Sequence, residues 1–277
     1  MGKYKIAAIG GDGIGPEVME SGLKCLDAVA KYIGFEFLVE RFPWGSDYYR
    51  AHGQMMPENA LEILHGFDSI YFGAVGDNEI PDDVTLWGLR LVICQGFGLY
   101  ANVRPAVMLP GVRSPLREEL SNKINWVMVR ENSEGEYAGV GGRSHRGFAE
   151  EIAIDASLFS RVGVERIQRF AFDLARTRSE KHLTCVTKSN AQRFGMVLWD
   201  EIFAQLAQEY PDVKTDKVLV DAATARMVLN PSSLDVIVAS NLHGDILSDL
   251  AAALVGSLGI AASGNLDPSG NNPSMFE

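Results

Sequence analysis

The chain has 277 residues, of which 47% are hydrophobic and 22% are charged, and its formal net charge is −11. Such a composition is typical of a globular protein with a substantial core, arranged as one large domain or two moderate ones. The acidic balance argues against a nucleic acid or an anionic membrane as partner, because like charges repel over a Debye length. A small anionic substrate is compatible with this charge, since an enzyme can concentrate arginine, lysine and metal ions at one site.

The predicted elements alternate between strands and helices from the N-terminus onward. A strand at Lys5–Ile9 is followed by a helix at Pro16–Ile33, where apolar residues recur at helical spacing and a proline lies in the first turn. Short β-branched and apolar runs predict further strands at Phe35–Val39, Ser69–Phe72, Trp126–Val129, His182–Thr187, Val218–Val220 and Asp235–Ala239. Further helices are predicted at Val84–Gln95, Arg161–Arg176, Gln192–Gln208 and Ile246–Val255. This alternation is typical of an α/β sheet.

Two segments depart from the alternation. Between Asn102 and Gly147, strand-like pieces are broken by prolines and glycines, which indicates a second domain or a β-rich arm. The final residues, Gly264–Glu277, have loop composition, and we expect them to form no closing element.

Cysteine usage and the absence of long apolar runs predict the compartment. Cys25, Cys94 and Cys185 are odd in number and lack the spacing of metal ligands, so we expect buried free thiols in a reducing environment. No apolar run reaches the ~20 residues that a membrane span needs, and Met1–Gly10 has no signal-peptide pattern. We therefore expect a cytoplasmic protein with no membrane partner.

The turn Gly10–Glu17 lies between a strand and a helix, where a dinucleotide-binding fingerprint would be found. Its spacing differs from that fingerprint, and Asp12 and Glu17 flank the turn. A helix N-terminus that binds pyrophosphate should expose its N–H groups without nearby acids. We interpret the segment as a turn of another kind.

Three aspartates form a candidate site for a divalent cation. Asp245 and Asp249 are four residues apart in a predicted helix, so they share one face and could bind one ion. Asp221 follows a predicted strand and could complete an oxygen-rich site for Mg²⁺ or Mn²⁺. The alternative is that Asp245 is stabilised by the helix macrodipole and Asp249 is merely solvated.

Three further side chains are candidates for catalysis or binding. Lys188 follows a strand, where it could carry a proton or be an ordinary surface lysine. Arg130 could clamp a carboxylate, and Tyr137 could transfer a proton or simply pack in the glycine-rich segment.

Taken together, these segments resemble the isocitrate/isopropylmalate dehydrogenase family. Ordered matches occur at Gly11–Val18, Gly73–Gly76, Tyr100–Pro105, Arg130–Tyr137, Thr187–Asn190, Asn241–Leu242 and Gly244–Asp249. Within the family, four segments resemble the tartrate/D-malate branch more than the isopropylmalate branch: Leu86–Gly88, Gly142–Gly147, Gly259–Pro268 and Pro273–Glu277.

The resemblance implies an α/β, isopropylmalate-dehydrogenase-like two-domain fold, with mixed sheets, flanking helices and a β-arm. Residues 1–101 and 250–277 would form the large cofactor-side domain, and residues 102–249 a small dimerisation and substrate domain. It also implies a homodimer whose active sites are shared, with Lys188 and Asp221 supplied by the opposite copy. Family members continue past the position of Glu277 with an adenine-binding loop, so we expect the large domain to be incomplete here and the choice between NAD and NADP to stay open.

The implied reaction is the oxidative decarboxylation of a small 2-hydroxy dicarboxylic acid. Mg²⁺ or Mn²⁺ would be held by Asp221, Asp245 and Asp249, while Arg104 and Arg130 bind substrate carboxylates. Lys188 would accept the hydroxyl proton as hydride leaves for NAD, and Tyr137 would protonate the carbon that loses CO₂. The resemblance assigns cofactor contacts to Ile14, Gly73, Ala74, Val75 and Asn190.

Departures from the family pattern shape the expected substrate. Cys94 and Gly98 replace a usual arginine and a usual acid, and His243 replaces an aromatic residue. Arg90, one helical turn before Cys94, is the predicted substitute clamp, with an exposed helix arginine as the alternative. Trp87 beside it would disfavour a bulky alkyl branch, as in isopropylmalate, the alternative substrate. A catalytically silent dimeric scaffold is the alternative from another class.

Overall fold

A computed structural model describes residues 2–277, and the chain forms two compact units. The first unit comprises the residues up to Leu99 together with Gly264–Glu277, and the second comprises Tyr100–Ser263. Residues 100, 101 and 250–263, expected in the first domain, therefore lie in the second unit. For the later residues, the reason is that one helix continues without a break from Asn241 to Leu254 and packs within that unit.

The first unit contains a five-stranded portion of sheet with the order β2-β1-β3-β12-β11. Its strands are β1 (Lys3–Gly11), β2 (Glu36–Phe42), β3 (Ser69–Ala74), β11 (Gly264–Leu266) and β12 (Ser274–Phe276). Its helices are α1 (Gly15–Ile33), α2 (Ser46–His52), α3 (Ala60–Leu64), α4 (Asp82–Thr85), a π-helical turn (Leu86–Arg90) and α5 (Leu91–Gly96). All pairings are parallel except that of β11 with β12.

Local sequence explains the first helix and the core beneath it. Pro16 occupies the first turn of α1, and Gly34 ends the helix in the left-handed conformation, with φ +90° and its N–H donating to the carbonyl of Ala30. The core of this unit gathers buried apolar side chains from strands and helices, including Ile9, Trp44, Leu64, Ile70, Phe72, Leu89, Ile93 and Met275.

Two predictions in this unit are wrong. Residues 264–277, predicted as loop, contain β11 and β12, because Met275 is fully buried and pairs in register with Ile70. The single α-helix predicted at 84–95 is interrupted by the π-helical turn, which includes Gly88. A Cβ on that glycine would lie 2.8 Å from Cγ of Met55, so only glycine lets the turn approach this closely.

The second unit contains a five-stranded portion of sheet with the order β4-β5-β10-β8-β9 and a separate two-stranded sheet. Its strands are β4 (Ala101–Val107), β5 (Asn125–Glu131), β6 (Gly135–Ser144), β7 (Ile152–Leu158), β8 (His182–Thr187), β9 (Lys214–Leu219) and β10 (Val236–Ala239). Its helices are α6 (Glu118–Ser121), α7 (Arg161–Thr177), α8 (Gly195–Glu209), α9 (Val220–Leu229) and α10 (Asn241–Leu254), with 3₁₀ turns at Pro231–Ser233 and Leu258–Ile260.

Burial and capping explain the central part of this unit. Every residue of β8 and β10 is buried, as expected for parallel strands covered on both faces. The side chain of Ser160 accepts a hydrogen bond from the N–H of Gly163 (2.9 Å) and so caps α7. The strand predicted at 218–220 is wrong at Val220, which begins α9, and α10 starts five residues before its predicted start.

The two-stranded sheet β6–β7 overlaps the β-rich segment predicted at 102–147 only in β6, because β7 lies beyond that segment. Its strands pair antiparallel, and the apolar side chains of Val140, Ile152, Ile154 and Leu158 are exposed. The mixed α/β fold predicted from the alternation is confirmed.

Helix length and the exposure of the cysteines are two further features of the described residues. Within residues 2–277, none of the helices has the length and apolar character to span a membrane. The three cysteines are free thiols, but the prediction that all are buried is wrong for Cys25, which is exposed on α1.

Candidate active site

Arg130, at the end of β5, is the centre of a polar cluster in the second unit. Its side chain is 4% exposed and donates to Oδ1 of Asn241 from Nε (2.9 Å) and from Nη2 (2.7 Å). Its Nη1 donates to Asp245. A Cβ on Gly244 would lie 2.7 Å from Cβ of Arg130, so this glycine allows α10 to pack directly on the arginine. Asn241 was missed as a site residue, although it opens the matched segment that contains both aspartates.

Arg104 lies on β4, and its guanidinium faces the same helix. Its Nη1 donates to Oγ of Ser248 (2.8 Å) and lies 3.8 Å from Asp245 Oδ1 and 3.6 Å from Asp249 Oδ1. Asn102, two residues earlier, is paired in register with Arg130, so both arginines project from one face of the sheet. The structure thus brings together Arg104 and Arg130, two of the three predicted arginines, and two of the three predicted aspartates. Ser248 was missed, although its spacing of three residues from Asp245 places it on the same helix face.

Tyr137 completes this cluster from β6. Its hydroxyl lies 3.4 Å from Oδ2 of Asp245, and its ring centroid lies 5.4 Å from the Cζ atom of Arg130. A guanidinium over an aromatic face is stabilised by the ring quadrupole, which fixes the orientation of the ring. The hydroxyl therefore lies beside the carboxylate of Asp245, and the ring lies beside the guanidinium of Arg130.

Lys188 and Asp221 form a second group. Lys188 is the first residue after β8. Its Nζ donates to Oδ1 of Asp221 (2.8 Å), which lies in the first turn of α9. The hydrogen bond from Lys188 holds the pKa of Asp221 below its ordinary value. The side chain of Asp221 is 67% exposed, so this pair faces solvent within the chain.

The two groups differ in what they offer a metal ion. Asp245 and Asp249 lie one helical turn apart with partly exposed carboxylates, and such oxygen donors fit Mg²⁺ or Mn²⁺. Among residues 2–277, no three histidine, cysteine or acidic side chains are grouped so as to hold a metal ion. A single chain therefore provides two of the three predicted ligands in one place, and Asp221 pairs with Lys188 instead.

His243, noted above as a departure from the family pattern, is buried in the first turn of α10. Its Nδ1 has no hydrogen-bond partner among the described residues. Burial lowers the pKa of His243 below its ordinary value. The negative charge of Glu136 opposes this shift, and the positive charge of Lys188 adds to it. Burial thus favours the neutral form of the ring.

The residues expected to contact the cofactor lie in both units. In the first unit, Ile14 is exposed beside the turn that follows β1, and Gly73–Val75 lies against that turn. A Cβ on Gly15 would lie 2.6 Å from the backbone nitrogen of Ala74, and a Cβ on Gly73 would lie 2.9 Å from the Cα of Gly15. Glycine at both positions therefore allows the two backbone segments to touch. Asn190 is exposed just after β8 in the second unit. The glycines of the first turn thus serve backbone packing.

Arg90 is buried in the first unit. Its side chain is 9% exposed, Nε donates to Glu277 Oε1 (2.6 Å), and Nη2 donates to Asn265 Oδ1 (3.1 Å). The alternative of an exposed helix arginine is therefore wrong. Binding of a substrate carboxylate by Arg90 stays a prediction, and such a carboxylate has to share the guanidinium with Glu277.

Replacing Arg90 by alanine is expected to lower the free energy of unfolding by about 3 kcal/mol, because the carboxylate of Glu277 is left without its buried partner. Urea unfolding of Arg90→Ala, with Glu277→Gln as the reciprocal variant, measures this loss. The clamp role predicts in addition a raised KM for a carboxylic acid substrate, whereas Cys94→Ala should leave that KM nearly unchanged. An unchanged free energy of unfolding in Arg90→Ala would contradict the stabilising role of its contact with Glu277. An unchanged KM would contradict its role as a substrate clamp.

The chain is similar to known proteins of one enzyme family. The sequence matches the isocitrate/isopropylmalate dehydrogenase family over residues 5–277. It is 60% identical to a probable tartrate dehydrogenase/decarboxylase of Agrobacterium vitis, over 100% of this chain and 78% of that protein. It is 47% identical to the decarboxylating D-malate dehydrogenase of Escherichia coli K12, over 100% of this chain and 77% of that protein. The crystal structure of isocitrate dehydrogenase from Methylococcus capsulatus superposes with a TM-score of 0.85 and 34% identity, covering 99% of this chain and 76% of that one.

Proposed function

The chain belongs to the isocitrate/isopropylmalate dehydrogenase family, and on that premise we propose that it oxidises and decarboxylates D-malate or tartrate with NAD and Mg²⁺ or Mn²⁺. Family membership makes it a dehydrogenase acting on a CH–OH group. The names of its relatives support the decarboxylating reaction, and the choice of a small dicarboxylate rests on the site itself.

The observation that carries the proposal is the cluster of Arg104, Arg130, Tyr137, Asp245 and Asp249 in the second unit. Two arginines on one sheet face can bind a carboxylate bidentately. The carboxylates of Asp245 and Asp249 keep these guanidinium groups oriented until the substrate replaces part of that contact. A dicarboxylic acid matches a site with this charge pattern.

Each remaining side chain has a role that follows from its chemistry. A divalent cation held by Asp245, Asp249 and Asp221 would lower the pKa of the substrate hydroxyl and withdraw electrons during loss of CO₂. The Nζ atom of Lys188 accepts the hydroxyl proton as hydride leaves for the nicotinamide. The hydroxyl of Tyr137 returns a proton to the carbon that carried the lost carboxylate. Bound NAD would take up the hydride, and the residues assigned to hold it by the family resemblance are Ile14, Gly73, Ala74, Val75 and Asn190.

We also propose that two copies share each site. Within one chain, Lys188 and Asp221 pair with each other in an exposed position, while Asp245 and Asp249 lie with the arginines. A homodimer in which one copy presents the lysine pair to the other copy's cluster would complete the ligand set. The exposed apolar side chains of β6–β7, among them Ile152 and Ile154, offer a surface for such pairing. The cytoplasm is the proposed compartment, since the cysteines are free thiols.

Turnover tests the reaction directly. The purified protein is incubated with Mn²⁺, NAD and either D-malate, tartrate or 3-isopropylmalate, and NADH and CO₂ are measured. We expect NADH and CO₂ from D-malate or tartrate and much less from 3-isopropylmalate. Failure to oxidise either small acid with NAD or NADP would contradict the proposed function and favour the silent scaffold.

Mixing two inactive variants tests the shared site. Lys188→Met and Asp245→Asn each disable a different half of the site, so a mixed dimer carries one intact site and one doubly altered site. Unfolding and refolding the two variants together should restore about a quarter of the wild-type activity, because half of the dimers are mixed and each has one working site. The same procedure with either variant alone is the control. Absence of recovery in dimers shown to be mixed would argue for sites built within one copy.

A further inference from the structure

Asp12 is a buried aspartate of the first turn that the proposed mechanism does not use. Its side chain accepts hydrogen bonds from two separate segments: the N–H of Ser46 reaches Oδ1 (2.6 Å), and the N–H of Gly76 reaches Oδ2 (2.9 Å). Its own N–H donates to the carbonyl of Ala74 (2.8 Å). The residue as a whole is only 7% exposed, so these bonds are shielded from water.

We infer that Asp12 is a positioning residue, which holds the loop Gly73–Gly76 in the shape that receives the cofactor. The inference rests on the proposed function, because it takes Gly73, Ala74 and Val75 as cofactor contacts. Asp12 does not contact the cofactor in this argument. It acts through the loop, which its N–H holds at Ala74 and its carboxylate holds at Gly76.

The loop needs such a restraint because its last residue has little conformational preference. Gly76 is exposed and adopts φ +136°, a conformation that residues with a side chain rarely adopt, and a glycine leaves it at low energetic cost. The hydrogen bond from its N–H to Asp12 ties this residue to the end of β1. Without that bond the loop would sample several conformations, and cofactor binding would have to order it.

The two bonds also explain why the position carries an aspartate. A carboxylate has an acceptor oxygen for each N–H, whereas asparagine has one acceptor oxygen and turns its NH₂ group toward the second donor. The space around the carboxylate is equally specific, since a Cβ on Gly45 would lie 2.8 Å from Oδ1. The variant Asp12→Asn therefore keeps the shape and removes one accepted bond.

Asp68 supplies a matched control in the same unit. Its Oδ2 accepts a hydrogen bond from the N–H of Lys5 (2.7 Å), close to the start of β1, whereas Asp12 follows the end of that strand. The variant Asp68→Asn weakens a comparable bond between a carboxylate and the backbone without touching the loop Gly73–Gly76.

The experiment compares wild type, Asp12→Asn and Asp68→Asn by amide hydrogen exchange and by steady-state kinetics. In wild type, the amide of exposed Gly76 should be protected. In Asp12→Asn, its exchange should accelerate roughly tenfold or more, and the KM for NAD should rise by about as much. The KM for D-malate and the kcat at saturating NAD should change by less than about threefold. Asp68→Asn should leave all of these values near those of wild type.

Several results would overturn the inference. An unprotected Gly76 amide in wild type would do so without any variant, and this measurement also decides the case in which Asp12→Asn does not fold. Unchanged exchange of Gly76 in Asp12→Ala, which keeps neither acceptor oxygen, would also remove it. A fall in kcat with no change in the KM for NAD would do the same. Failure of the proposed function is visible separately, since wild type would then not oxidise D-malate or tartrate with NAD.

Discussion

The variant Asp245→Asn is expected to abolish Mn²⁺-dependent oxidation of D-malate and to weaken Mn²⁺ binding at least about 100-fold, since changes even beyond the direct ligands reduce metal affinity by roughly 10- to 100-fold. Asp245 is the residue on which the cluster converges, because Arg130, Arg104 and Tyr137 all face its carboxylate. An amide retains the shape but loses the negative charge that a divalent cation requires.

Isothermal titration with Mn²⁺ in the absence of substrate measures this effect without turnover. Asp173→Asn is the matched control, since Asp173 lies on α7 of the same unit. Its Oδ1 accepts a hydrogen bond from the hydroxyl of Tyr210 (3.0 Å), just as the carboxylate of Asp245 faces the hydroxyl of Tyr137. The control should bind Mn²⁺ like wild type. An unchanged Mn²⁺ affinity in Asp245→Asn would remove this aspartate from the metal site.

Lys188→Met and Tyr137→Phe are expected to impair different steps of the reaction. Loss of the lysine removes the group that accepts the hydroxyl proton, so NADH formation should fall by about 10²- to 10⁴-fold. Tyr137→Phe should retain more of the oxidation step and lose protonation after CO₂ has left. The two half-reactions are measured separately, as NADH formed from D-malate and as decarboxylation of the corresponding 2-oxo acid.

Lys217→Met is the control for the lysine, because the half-exposed side chain of Lys217 on β9 also forms an ion pair with an aspartate, Asp200 (2.6 Å), and has no proposed role. It should retain wild-type kinetics. The solvent-facing ion pair between Lys188 and Asp221 contributes little to the free energy of unfolding. Lys188→Met should therefore unfold near the wild-type temperature. Equal loss of both half-reactions in Lys188→Met and Tyr137→Phe would show that the two roles are wrongly assigned.

Local sequence determined much of the fold. The proline in the first turn of α1, the periodic apolar residues of that helix, and the apolar runs of β8 and β10 act over a few residues, so they can be recognised without tertiary contacts. The spacing of four residues between Asp245 and Asp249 likewise fixes their shared helix face. Ordered motifs then identified the family, which the comparisons confirmed.

Tertiary structure decided the features that depend on distant residues. The last strands form because Met275 pairs with Ile70, a partner about 200 positions away in the chain, while their loop-like composition concealed them. The buried partners of Arg90 are Glu277 and Asn265, which no local pattern connects to it. The same reason separates Asp221 from the other two aspartates: strand order and helix packing set which carboxylates meet, and a single sequence records only which carboxylates exist.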